Sequence, residues 1–104
     1  MTITNGIYSR AELRPSPNKG GAIVPDTIIV HDTAGGLDAA GSIAWLSNPQ
    51  SRASAHFVIG RDGKVFQLVS TNIRAWHAGE SKLGNRTNVN GFSIGIEFVN
   101  PGLL

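Results

Sequence analysis

Two stretches of the chain are apolar without alternating. Thr27-Ile28-Ile29-Val30-His31 is rich in β-branched residues, and Phe92 to Val99 is an apolar run interrupted only by Glu97. Both read as strands, and their continuous character predicts burial on both faces. Ala53 to Ile59 and Val65 to Val69 read as two further strands. Arg61-Asp62-Gly63-Lys64 lies between them, and Asp-Gly is a strong hairpin signal. Asp38 to Ser47 reads as a short helix: Asp38 can cap it, Ala39, Ile43 and Leu46 share a face, and Asn48-Pro49 ends it.

The segments between are punctuated rather than periodic. Residues 1–25, with Pro15, Pro17, Gly20, Gly21 and Pro25, form an irregular, extended lead-in with room for one helical turn. Asp32 to Gly36 reads as a Gly-rich loop at the end of the first buried strand. Residues 80–91 are polar and read as a surface loop, and Asn100-Pro101-Gly102 ends the last strand. Strands buried on both faces need helices on each side, yet only one clear helix is present. A second covering layer is therefore expected from a longer product, a complementing chain or self-association, since a bare apolar sheet face invites aggregation.

Composition narrows the picture. The 104 residues fit one small domain, with its core over 26–104. The absence of cysteine excludes disulfides, thiolate metal sites and cysteine nucleophiles. No apolar run approaches the roughly 18 residues of a membrane span, so no membrane partner is expected. Met1 to Tyr8 lacks the basic-then-apolar order of a secretory signal, which points to the cytoplasm. The formal charge is +2, but the nine basic residues are scattered, which argues against nucleic acid as a partner.

Four residues carry candidate chemistry. His31 sits at the carboxyl end of a buried strand, where α/β proteins tend to place reactive groups, although a hydrogen-bonded core histidine is the plainer reading. His56, between Ala55 and Phe57 inside a strand, reads as a core histidine. His77 lies among Trp76, Ala78 and Gly79, a composition that suits a ligand-facing wall. Glu97 stands among apolar neighbours, and a buried carboxylate is costly unless paired or protonated. Period-two alternation puts it on the face of Gly95 and Ser93, so a small open face beside an acid, suited to a cleft, competes with simple exposure to solvent. Burial would raise its pKa towards the range useful for acid–base work. Three histidines and a carboxylate could complete a zinc site, but the spacing 31, 56, 77, 97 matches no local metal motif.

Four segments in order, IIVHDTAG at 28–35, SAHFVIGRDGKVFQLV at 54–69, AWHAG at 75–79 and FSIGIEFVN at 92–100, resemble the type 2 N-acetylmuramoyl-L-alanine amidase family. That family includes phage endolysins, cytoplasmic anhydromuropeptide amidases and peptidoglycan recognition proteins. The resemblance implies an α/β fold, a mixed central β-sheet flanked by helices, here without the C-terminal part of the domain. It implies zinc, held by two histidines and an Asp or Cys, with His31 as the first ligand and the others beyond Leu104. It implies Glu97 as the catalytic acid, since the tyrosine that other members place before the second-segment histidine is Ala55 here. Trp76 and His77 match a segment lining the substrate groove, which Asn48 to Arg52 precede.

The implied activity is metal-assisted hydrolysis of the amide between muramic acid and L-alanine, with peptidoglycan or a muropeptide as partner. A neutral His31 is the ligand form, oriented by a hydrogen-bonded neighbour. Asp32 is a poor choice for that neighbour, because the next residue on a strand points away. The location is cytoplasmic, or the cell wall after release during phage lysis. A non-catalytic peptidoglycan-binding module is the rival function.

Overall fold

The computed structural model describes residues 3–32, 38–79 and 82–99. The lead-in contains short strands rather than a helical turn. β1 (Ile3–Thr4) and β2 (Ile7–Tyr8) pair as a hairpin, followed by β3 (Glu12–Leu13) and β4 (Lys19–Ala22). β5 (Thr27–Asp32) is the first buried strand read from sequence. The Gly-rich loop expected after it falls mostly outside the described residues. Helix α1 (Ala39–Leu46) begins where Asp38 accepts a hydrogen bond from the Gly41 amide at 2.8 Å.

β6 (Phe57–Ile59) and β7 (Val65–Gln67) form the expected antiparallel hairpin about Asp62-Gly63, with Gly63 at φ +82°. β8 (Ile73–Ala75) pairs with β4. Within the expected surface loop, β9 (Lys82–Leu83) and β10 (Arg86–Thr87) make a small hairpin turning at Gly84, φ +61°. β11 (Ser93–Phe98) closes the order.

Five strands form one mixed sheet in the order β3-β7-β6-β11-β5. β11 is parallel to both its neighbours, β5 and β6. The mixed-sheet expectation therefore holds, with part of the lead-in joining the sheet through β3 and β7.

Helix α1 packs on β6, on the face that carries Val58. Leu46, Ala55, Val58, Leu68, Val69, Ala75 and Val99 make the core, with Ala39 and Ile43 packed against it. The far end of the helix is fastened by the lead-in. Ser16 Oγ donates to the Leu46 carbonyl at 2.6 Å, and Asn18 Nδ2 donates to the carbonyls of Asn48 (2.9 Å) and Ala53 (2.8 Å). The Leu46 carbonyl, which the helix end leaves without an intrahelical partner, is thus satisfied by a side chain from the start of the chain, and Asn18 ties down the segment that follows the helix.

Burial on both faces is not observed for β5 and is partial for β11, whose Ile94 and Ile96 are half-buried. Burial alternates along β5, and Ile28 and Val30 are 65% and 60% exposed. The covered face is the one on which α1 lies; on the opposite face Phe57 of β6 is buried, with the Tyr8 ring of the lead-in edge-on to it, while Ile28 and Val30 of β5 remain open.

Candidate active site

Parallel pairing of β5 and β11 sets Glu97 opposite His31 and Gly95 opposite Ile29. Partners in a ladder project to the same side, so His31, Glu97, Gly95 and Ser93 share the face that α1 covers. Both His31 and Glu97 are half-buried, near the carboxyl ends of their strands. Burial raises the Glu97 pKa above the ordinary carboxylate value; the nearby His31 charge opposes that shift and Asp32 reinforces it.

His77 reaches this face from the segment after β8. Its Nδ1 lies 3.1 Å from His31 Nε2, and its Nε2 lies 2.9 Å from Ser93 Oγ. Its main chain is held as well, because Asn90 Oδ1 accepts from the amides of His77 (3.2 Å) and Ala78 (2.9 Å). The imidazole lies over Gly95, where a Cβ would come within 2.3 Å of His77 Cγ. The small residues beside Glu97 therefore make room for His77 rather than leaving that part of the face open. Burial first, and then the charges of His31 and His56, push the His77 pKa down to about 4. Trp76, half-buried beside it, is held by main-chain contacts: its amide donates to Ser54 Oγ and its carbonyl accepts from the Ser54 amide, each at 2.9 Å.

His56 is fully buried and satisfied. Its Nδ1 accepts from the Gly95 amide at 3.0 Å, and its Nε2 donates to the Ile73 carbonyl at 2.7 Å. Desolvation lowers its pKa, and the Ile73 bond opposes that. It is a core histidine joining β11 to β8, as its sequence context indicates.

Among the described residues, no group of three or more His, Cys, Asp or Glu side chains is placed to hold a metal ion. The described residues therefore do not complete a zinc site by themselves, and His31 beside Glu97 would be one ligand of several.

Two residues of this arrangement, Ser93 and Asn90, carry little signal in the sequence. Ser93 is marked only by its place on the face of Glu97. Asn90 lay in a polar loop, where nothing distinguishes a buried structural amide from a solvated one; in the fold it is 7% exposed.

The family model described as N-acetylmuramoyl-L-alanine amidase matches residues 21–103. A curated relative, the 1,6-anhydro-N-acetylmuramyl-L-alanine amidase AmpD of Citrobacter freundii, is 54% identical over 93% of this chain. The chain spans 62% of that relative's length. Among solved structures, a selenomethionine derivative of AmpD superposes with a TM-score of 0.88 at 31% identity, over 100% of this chain and 69% of the other. The amidase AmiD of E. coli, solved in complex with anhydro-N-acetylmuramic acid-L-Ala-D-γ-Glu-L-Lys, gives a TM-score of 0.63 at 30% identity. That match covers 92% of this chain and 35% of the other.

Proposed function

This chain belongs to the N-acetylmuramoyl-L-alanine amidase family, and on that premise we propose that it acts in hydrolysis of the amide between the lactyl group of N-acetylmuramic acid and L-alanine, in peptidoglycan or a released muropeptide. The observation that carries this reading is the pairing of His31 and Glu97 on adjacent parallel strands, on the covered face of the sheet. A carboxylate with a raised pKa beside a nitrogen donor is the chemistry that water-driven amide cleavage needs.

Glu97 is the general base and then the general acid. Its carboxylate takes a proton from the attacking water as the new C–O bond forms. The same proton passes to the amide nitrogen as the C–N bond breaks, so the lactyl acid and the free L-alanyl amine leave with the carboxylate restored. Trp76 and His77 are assigned to the groove that holds the muropeptide, on the likeness of their segment to that of the family.

His31 is proposed as one ligand of a zinc ion, with the remaining donors drawn from outside the described residues. Zinc, when bound, supplies Lewis acidity towards the amide carbonyl and a more acidic water.

A second reading, a peptidoglycan-binding module without catalysis, draws on the described residues holding no group of three or more side chains placed to bind a metal ion. The two separate cleanly when the chain is incubated with zinc and a muramyl-peptide and free L-alanyl amine is measured. Release that a chelator abolishes supports the amidase. Binding without release overturns it for this chain and supports the binding module.

A further inference from the structure

The hydrogen bonds on the covered face run in one direction only. A backbone carbonyl cannot donate, so Ser93 must give its single hydroxyl proton to the Val89 carbonyl, 2.6 Å away. Ser93 Oγ then has only lone pairs for His77, and the 2.9 Å contact requires the proton to sit on His77 Nε2. A neutral imidazole holds one ring proton, so His77 Nδ1 is an acceptor. Its neighbour at 3.1 Å, His31 Nε2, must be the donor. His31 is left with its lone pair on Nδ1.

We propose that His77 is a positioning residue for His31, fixing it as the Nε2–H tautomer so that Nδ1 is the nitrogen that keeps its lone pair. Ser93 and the Val89 carbonyl set the direction of the relay. The partner that His31 needs thus lies 46 residues away in sequence rather than at the adjacent Asp32. The purpose of the arrangement rests on the amidase reading above, in which His31 is a ligand. Neighbours that fix the tautomer and ring orientation of ligating histidines tune affinity for the ion.

The geometry also says why the other ring atoms of His77 cannot do this job. Gly95 and the Asn90 carboxamide hold the ring and its main chain in one place, so the Nδ1 edge meets His31 and the Nε2 edge meets Ser93. Asparagine at 77 would keep an acceptor oxygen where Nδ1 stands. Phenylalanine would keep the ring and remove both nitrogens.

The test is the tautomer of His31, read from long-range proton–nitrogen correlations of the ¹⁵N-histidine-labelled chain. It needs neither metal nor substrate, and is run at about pH 8, above the ordinary histidine range. The wild-type chain is expected to show His31 as the Nε2–H form alone. Ser93→Ala and His77→Phe are expected to lose that single form and show both tautomers, while His77→Asn retains it. His56, locked as Nε2–H by Gly95 and Ile73, reports in every spectrum that the fold is intact. A wild-type His31 carrying its proton on Nδ1 overturns the proposal. So does an unchanged His31 pattern in Ser93→Ala or His77→Phe when the His56 signature is present. Failure of amide hydrolysis with the expected tautomers would instead count against the function alone.

Discussion

Gly95 and the imidazole of His77 occupy complementary space: a Cβ on Gly95 would lie 2.3 Å from His77 Cγ and 2.6 Å from Cδ2. Glycine inside a strand weakens it unless something must approach the backbone closely, and here the ring of the half-buried His77 does so. Gly95→Ala is expected to displace His77 and to cost about 1–3 kcal/mol, the usual range for overpacking a filled site. Denaturant titration of the variant measures the cost.

Stability should depend on pH through the imidazoles of the half-buried His77 and the buried His56. Histidine ordinarily titrates near 6.5, whereas His77 in the fold is held down to about 4, and His56 shifts the same way. Between those values the unfolded chain binds protons that the native chain refuses, so stability rises with pH across the window. The contribution is complete above about 6.5 and is lost as pH falls towards 4. Glu97, raised by burial, acts with the opposite sign above its ordinary value and partly offsets the effect. Melting temperature is expected to fall between about pH 7 and pH 5. The fall should be shallower in His77→Asn; equal slopes in the two proteins would contradict this.

The two ends of α1 should differ in sensitivity. Asp38 caps the start from an exposed position, and Asp38→Ala is expected to cost about 1 kcal/mol. Asn18 is buried and serves several groups beyond the other end. Asn18→Ala deletes both bonds at a buried position; the two carbonyls keep Ser51 as a donor, so the expected cost is about 1–3 kcal/mol in total. Thermal melts should rank Asn18→Ala as the more damaging change.

The open sheet face offers a further check. Ile28 and Val30 are well exposed, so replacing both with threonine keeps β-branching and removes surface apolar area. Binding of an environment-sensitive hydrophobic dye is expected to drop, with little change in melting temperature. A large loss of stability would mean that this face is packed in solution.

The strands at β5 and β11, the β6–β7 hairpin and the capped helix were legible because each is written locally, in β-branched runs, Asp-Gly and an Asp before a periodic apolar stripe. His31 and Glu97 were legible as anomalies within apolar strands, and the resemblance of four segments gave them their roles. The pairing of His31 with His77 was not, because it joins residues far apart through a register that no local pattern specifies. Neither was the role of Ser16 and Asn18, whose segment carries only turn residues and whose partners lie some thirty positions on. Expected burial on both faces of β5 went too far, because apolar character records what a face can pack against and not what is present to cover it.

The most direct measurement is the rate of L-alanyl amine release from an N-acetylmuramoyl-L-alanyl peptide in the presence of zinc, for the wild-type chain and for Glu97→Gln. Loss of a positioned acid–base group is expected to slow release about 100-fold or more, with the melting temperature unchanged or slightly raised once the buried charge is gone. An undiminished rate in Glu97→Gln would contradict the assignment of this carboxylate as the proton carrier.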